Sequence, residues 1–190
     1  MSVIINNERL IAGINWGAVA EKGWFAAVDY SPVDLDLWCF ELDKNGKYVQ
    51  ILSFENKTND WGRLSQDDMS GDLYGNDKED NEWINFYLNK LPKGHKLCLS
   101  VINYTEQPIN NLLHFDYRIY TGEANKVQTL FYFKDLKKKT FSNEVQGLFL
   151  GYIERDDYSL VFHNKEAPLY AKDIDYQKDE ILDEILLQEV

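Results

Sequence analysis

Residues 33–54 read VDLDLWCFELDKNGKYVQILSF, and this stretch decides the fold class. Two apolar runs, 33–42 and 47–54, flank the tetrapeptide DKNG at 43–46. An Asn-Gly pair between two strand-like runs is the strongest short-range signal for a β-hairpin. Residues 35–42 are apolar on both faces, which is typical of a central strand in a packed sandwich.

The same pattern of short strands continues along most of the chain. β-branched and aromatic residues, which strands favour, dominate further runs that are separated by turn residues. These further strand candidates are residues 84–88, 96–104, 115–121, 127–133, 146–154 and 158–164. Many short strands with few helical periods predict an all-β antiparallel sandwich, which we assign to residues 1–172.

The remaining residues, 173–190, have a different pattern. Ile181, Leu182, Ile185 and Leu186 recur at helical spacing with acidic residues between them, which predicts a short acidic amphipathic helix. We expect its apolar stripe to pack on the sandwich or on a partner chain, because anionic lipid would repel the acidic face.

The acidic charge is concentrated in two segments. The formal net charge is −12, and residues 66–82 and 173–190 each hold seven carboxylates and one lysine, so the rest of the chain is balanced. The one basic run, at residues 137–139, is too short for a phosphate-binding patch. We therefore expect no nucleic-acid binding, which needs clustered lysines and arginines.

Several further classes of protein are disfavoured by the sequence. Cys39 and Cys98 lie in apolar strand-like stretches, which predicts small core residues rather than a disulfide or a zinc site. The N-terminus lacks the pattern of a signal peptide, and no apolar run approaches the about 18 residues of a membrane span. We expect a cytoplasmic protein without direct membrane insertion.

No catalytic motif is found, so we expect a protein that is not an enzyme. The sequence contains no GxSxG, HExxH, GxGxxG or P-loop pattern. His95, His114 and His163 are isolated in the sequence, which is more typical of surface or hydrogen-bonded histidines than of a general base.

Asp34 and Asp36 raise the question of a cation site. Alternation along a strand puts both carboxylates on one face, where they repel each other unless a cation or a proton neutralises them. Residues 71–82 interleave carboxylates with glycines and Asn, a composition that suits calcium, although the EF-hand spacing is absent. The alternatives are two aspartates that face water at a strand end and an exposed acidic loop that binds nothing specific.

A resemblance to a known family favours calcium. The chain resembles the TerD family, calcium-binding β-sandwich proteins of bacterial tellurium-resistance and stress-response operons, over most of its length up to about Tyr170. The segments that carry the resemblance are INWG (14–17), VDLDLWCFELDKNGK (33–47), SFENK (53–57), SGDLYGNDKEDNEWI (70–84), LPKGHKLCLSVINY (91–104), FDYRIYTGEANKVQTLFYF (115–133) and FLGYIERDDYSLVFH (149–163).

The resemblance implies a set of calcium ligands on the strand at 33–42, the strand end at 53–57 and the acidic loop. The implied ligands are Asp34, Asp36, Asn56, Asp72, Asp77, Asp80, Asn81 and Glu82. The loop departs from the family pattern: it is one residue shorter, Asn81 replaces an Asp, Asp77 replaces a glycine, and Lys78 falls where an Asp is expected. Asp77 or Glu79 would supply the displaced charge from a shifted position, and Lys78 would compete with calcium for the same oxygens. The resemblance therefore implies one retained site or a weakened pair.

The resemblance further implies a non-catalytic calcium-binding module of a tellurium-resistance and stress-response system. Its expected partners are other proteins of the stress operon and a membrane-associated complex. The alternative is a carbohydrate-binding or carbohydrate-active β-sandwich in which calcium is structural, since two carboxylates can flank a sugar.

Overall fold

The computed structural model describes residues 2–6, 9–22, 28–105, 107–123, 126–133, 142–155, 159–170, 177–188 and 190. The basic run at 137–139, residue 158 of the last strand candidate and residues 173–176 of the tail lie outside these ranges.

Strands dominate the described residues, and one α-helix follows them near the C-terminus. The strands are β1 (Ser2–Ile5), β2 (Arg9–Trp16), β3 (Val19–Lys22), β4 (Val28–Ser31), β5 (Leu35–Leu42), β6 (Tyr48–Leu52), β7 (Gly62–Leu64), β8 (Glu82–Tyr87), β9 (Lys96–Asn103), β10 (Phe115–Glu123), β11 (Lys126–Phe133), β12 (Gly147–Arg155) and β13 (Leu160–Leu169). Helix α1 spans Gln177–Leu186, and short 3-10 turns span Leu88–Lys90 and Ile109–Asn111.

The strands form two large sheets and a small ribbon. A six-stranded sheet has the order β1-β13-β12-β9-β5-β6, a five-stranded sheet has the order β11-β10-β2-β8-β7, and β3 pairs with β4. All of these strand pairs are antiparallel. The predicted all-β antiparallel sandwich is therefore confirmed.

The core lies between the two large sheets, and β5 shows how the sequence builds it. Leu35, Leu37 and Cys39 of β5 pack in the core shared by both sheets, whereas Trp38 and Phe40 alternate with them and point to the outer face. Both faces of β5 are thus covered, as its unbroken apolar run predicts, and the strand lies between β6 and β9.

The predicted hairpin is present between β5 and β6. Asp43 Oδ1 accepts the backbone N–H groups of Asn45 and Lys47 at 2.8 and 2.9 Å. Gly46 has φ +77°, a conformation that few residues other than glycine adopt readily, so the Asn-Gly pair closes the turn.

Helix α1 packs on the outer face of the six-stranded sheet. Ile181 and Ile185 are fully buried there, in a cluster that includes Trp38 and Phe40 of β5. Leu182 packs against the same cluster, whereas Leu186 is exposed. The tail helix and most of its apolar stripe were therefore predicted correctly.

No described helix has the length and apolarity needed to cross a bilayer.

Candidate metal centre

A cluster of three carboxylates lies where β5 begins. β6 pairs with β5 only from Cys39 onward, so the first half of β5 has no strand partner on that side. Asp34, directly before β5, and Asp36 of this half lie near Asp67, and oxygen atoms from the three side chains lie within 4.8 Å of one another. The strand start therefore gathers carboxylates from two distant parts of the chain.

The cluster contains carboxylate oxygens without hydrogen-bond donors. Asp36 is buried, with 4% of its surface exposed, and its Oδ1 has no partner among the described residues. Asp34 Oδ1 is also buried and without a partner there. A buried carboxylate oxygen without a donor costs free energy, so both atoms point to a bound cation or to a proton.

The electrostatics of Asp36 lead to the same conclusion. The pKa of Asp36 is raised from its ordinary value to about 7, first by burial and then by the charges of Asp34 and Asp67, while Lys57 acts to lower it. The pKa of Asp34 is also raised, first by burial and then by Asp67 and Asp68. Crowded carboxylates of this kind hold protons when no metal neutralises them.

Glu82 lies beside this cluster, between the two large sheets. It is the first residue of β8, it is fully buried, and its Oε2 accepts the N–H of Leu37 at 2.8 Å. The pKa of Glu82 is raised to about 8: burial is the largest cause and the charge of Asp36 adds to it, whereas the hydrogen bond from Leu37 acts to lower the pKa. Glu82 thus connects β8 of one sheet to the free edge of β5 in the other.

Asp68 follows Asp67 but has a different environment. Its Oδ1 accepts the backbone N–H groups of Ser70 and Gly71 at 3.0 and 3.1 Å, and its Oδ2 accepts the Asn81 amide at 3.0 Å. Burial acts to raise its pKa, but these hydrogen bonds outweigh burial and lower it. Asp68 is therefore an ionised anchor of the acidic loop.

Asp72 and Asn81 belong to a hydrogen-bond network that holds the loop in place. Asn81 Nδ2 donates to Asp72 Oδ1 at 3.3 Å, and Asn81 Oδ1 accepts the N–H of Trp16 at 2.9 Å. Asn15 of β2 donates to Asp72 Oδ2 at 3.1 Å and to Asn81 Oδ1 at 3.0 Å. These two predicted ligands thus bond to protein donors and anchor the loop.

Asp80 faces away from the cluster. Its Oδ1 accepts Arg118 Nε at 2.8 Å and its Oδ2 accepts Tyr120 OH at 2.8 Å. Lys78, which was expected to compete for the ion, lies with Asp80 and Arg118 along a separate pocket on the sheet face. The lysine that acts on Asp36 is instead Lys57.

The remaining predicted ligands lie in turns. Asp77 is exposed and accepts the N–H of Glu79 at 2.8 Å. Asn56 is exposed too, and its amide donates to Ile51 O at 2.8 Å. Of the predicted set, the structure brings Asp34, Asp36 and Glu82 together.

Asp67 is the cluster member that sequence reasoning missed. It belongs to the acidic segment 66–82, but it precedes the part of that segment that resembles the TerD loop. The only local sequence signal for Asp67 as a ligand was its position as a carboxylate next to Asp68, a few residues before the turn at Gly71. Its approach to Asp34 and Asp36 depends on how β7 and β8 pack beside β5, which local spacing does not encode.

No family model matches this chain, and no curated protein matches it either.

The cluster has the chemistry of a hard-cation site. Three carboxylates offer six oxygen atoms, and calcium takes about six to eight oxygen ligands from carboxylates, carbonyls and water. The donor set contains no sulfur or imidazole, which softer metals prefer. The buried oxygens without donors fit such an ion.

Proposed function

We propose that this protein is a non-catalytic calcium-binding module. Asp34, Asp36 and Asp67 hold the ion, and Glu82 is the neighbouring buried carboxylate. The observation that carries the proposal is the pair of buried oxygens, Asp34 Oδ1 and Asp36 Oδ1, that lie beside a third carboxylate and have no hydrogen-bond donor among the described residues. An acidic cluster on its own is common, but a buried carboxylate without a donor needs a neutralising partner.

Calcium has a mechanical role in this proposal. Without the ion, the ionised carboxylates of Asp34 and Asp36 repel Asp67, which weakens the attachment of its segment to the strand edge. The bound ion cancels this repulsion and joins that segment to the free half of β5. The native state then gains free energy by ligand linkage, RT ln(1 + [Ca]/Kd).

The experiment is a thermal unfolding series on chelator-treated protein. Calcium raises the Tm of the wild type, and Asp36→Asn removes most of that rise because one buried ligand charge is lost. Asp77→Asn is the matched control, since Asp77 is exposed and lies outside the cluster. Equal rises in all three proteins, or no rise in the wild type, would contradict the proposal.

The biological setting that we propose follows the TerD resemblance of residues 14–163. The module acts in the cytoplasm with other proteins of a tellurium-resistance and stress-response system, including a membrane-associated complex. The test is survival of a tellurite-sensitive bacterial host that expresses the protein. Wild type is expected to raise survival and Asp36→Asn to raise it less, whereas equal survival with an empty vector would count against the setting.

A further inference from the structure

A pocket separate from the acidic cluster lies on the outer face of the five-stranded sheet. It has a volume of about 490 Å³, which is in the range of small-molecule sites. Its walls include Asn15 of β2, Asp116 and Arg118 of β10, and Tyr132 of β11. Asn76, Lys78 and Asp80 of the acidic loop form a further wall.

Strand alternation explains why polar side chains gather here. Tyr117 and Ile119 of β10 point into the core, so Asp116 and Arg118 point to the outer face. Gly13 of the neighbouring β2 has no side chain, and a Cβ there would collide with the Asp80 carboxylate. The glycine thus lets Asp80 lie directly on the sheet.

The walls of the pocket are held in place by their own hydrogen bonds. Asp80 accepts bonds from Arg118 Nε and Tyr120 OH, both at 2.8 Å. Asp116 Oδ2 accepts the hydroxyl of Tyr132 at 3.1 Å and the amide of Asn76 at 3.4 Å. A ligand therefore meets ordered polar groups and loses little free energy in ordering them.

Among the described residues that line the pocket, the charges balance. Lys78 and Arg118 contribute two cations, and Asp80 and Asp116 contribute two carboxylates. Asp80 is already paired with Arg118, with its side chain 7% exposed. An anion would meet two carboxylates here and a cation would meet two basic groups, so the pocket favours a ligand without net charge.

The pocket also offers donors and acceptors side by side. The Nη atoms of Arg118 and the Nζ atom of Lys78 have no acceptor among the described residues. The carboxylate of Asp80 has capacity for about four hydrogen bonds and accepts two from Arg118 and Tyr120, so it can accept more. Tyr132 is 52% exposed and adds an aromatic surface.

We propose that this pocket binds a small neutral polyhydroxylated molecule, of the size of a monosaccharide or a sugar-like polyol. Each hydroxyl of such a ligand both donates to a carboxylate and accepts from a guanidinium or ammonium, which matches the mixed walls. The apolar C–H groups of a sugar ring pack against the exposed ring of Tyr132. This site is distinct from the carboxylate cluster, and the inference does not rest on calcium binding.

The test is a two-dimensional NMR titration of the full chain with a panel of neutral hexoses, pentoses and linear polyols. Glycine and inorganic phosphate serve as the zwitterionic and anionic probes. We expect at least one neutral ligand to shift the amide signals of residues 76–80 and 115–118 in a saturable way. Repeating the titration with calcium and with chelator separates this site from the carboxylate cluster.

Two variants and one control locate the site. Tyr132→Ala removes the aromatic surface and the hydrogen bond to Asp116, so we expect the affinity for the neutral ligand to fall at least about tenfold. Tyr132→Phe removes only the hydrogen bond, so we expect a smaller loss of affinity. Tyr170→Ala, which removes a similarly exposed tyrosine at the end of β13, should leave the affinity within about twofold.

Three results would overturn the proposal. The first is that none of the neutral ligands shifts these signals. The second is that glycine or phosphate binds here and the neutral ligands do not. The third is that a sugar binds but Tyr132→Ala leaves its affinity unchanged, which would mean that the sugar occupies another surface. Loss of calcium binding in Asp36→Asn with sugar binding retained would leave this proposal standing.

Discussion

Asp36 is the residue whose sequence position and burial together determine the properties of the carboxylate cluster. Its position two residues after Asp34 puts both carboxylates on one strand face, and its burial then makes a charge there costly. In the structure, the carboxylate of Asp67 lies in the same cluster as those of Asp34 and Asp36. At the scale of single residues, the main consequence is a competition between calcium and protons.

That competition predicts the pH dependence of the metal-free protein. The pKa values of Asp36 and Glu82 are raised from 3.8 and 4.5 to about 7 and about 8, so the native state binds more protons than the unfolded state across this window. The stability of the chelated protein should therefore fall as the pH rises from about 4 to about 8. Asp68 has a lowered pKa and titrates below this window.

Calcium affinity should change with pH in the opposite direction. Because the ion must displace protons from the raised carboxyl groups, the affinity should increase between about pH 6 and pH 8. Calorimetry in buffers of different ionisation enthalpy measures both the affinity and the protons released. An affinity that stays constant or falls over this range would be at odds with metal binding by Asp36.

At the scale of elements, the acidic loop is held by Asn81 at a position where the TerD pattern has an Asp. The amide nitrogen of Asn81 donates to Asp68 and Asp72, and a carboxylate has no hydrogen to donate to either. The departure from the family pattern therefore has a structural reason. This asparagine keeps two carboxylates bonded within the loop.

Asn81→Asp is expected to destabilise the chelated protein by about 2–4 kcal/mol, because two bonds to charged groups are replaced by repulsion. Urea unfolding measures the loss. Asn85→Asp is a suitable control, since the Asn85 amide makes no hydrogen bond among the described residues. If both variants lost the same small amount, Asn81 would have no anchoring role.

Helix α1 yields a second prediction about an element. Ile185 is fully buried against the six-stranded sheet, whereas Leu187 is 79% exposed. Ile185→Ala should lower the free energy of unfolding by about 2–5 kcal/mol, and Leu187→Ala should change it by less than about 0.5 kcal/mol. Chemical denaturation measures both changes. If Ile185→Ala lowered the free energy of unfolding as little as Leu187→Ala, the packing of the helix would contribute little to the stability of the fold.

Sequence reasoning reached most of the elements that have a clear local signal. The β5–β6 hairpin follows from its Asn-Gly turn, and α1 follows from its apolar spacing. Strand β2 was not predicted, because Ala12, Gly13 and Asn15 lower its β-propensity. Its strand conformation depends on pairing with β8 and β10, a tertiary effect that no local pattern carries.

The candidate site was predictable only in part for the same reason. Asp34 and Asp36 share a face by alternation, so their proximity follows from the sequence. Asp67 reaches them through the packing of distant segments, and Asp80 turns away because Arg118, 38 residues later, lies on the adjacent face of β10. Ion pairs across a sheet cannot be read from the spacing of the acidic loop.

At the scale of the whole molecule, the structure divides the acidic charge by role. Of the carboxylates in residues 66–82, Asp67 and Glu82 lie at the cluster, Asp68 and Asp72 hold the loop, and Asp80 pairs with Arg118. Asp179, Glu180 and Asp183 of α1 are exposed, whereas Glu184 accepts the backbone N–H of Tyr170 at 2.7 Å. The proposed ion would therefore neutralise a local cluster in which Asp34 and Asp36 lie at the start of β5 and only Asp67 belongs to the acidic segment.

Isothermal titration of calcium into chelator-treated wild-type protein and into Asp36→Asn, Asp67→Asn and Asp77→Asn tests the central claim most directly. The wild type should bind one calcium ion at this cluster. The first two variants should lose at least about tenfold in affinity, and Asp77→Asn should keep the wild-type value. Absence of binding to the wild type, or equal affinity in all four proteins, would contradict the assignment of the cluster as a calcium site.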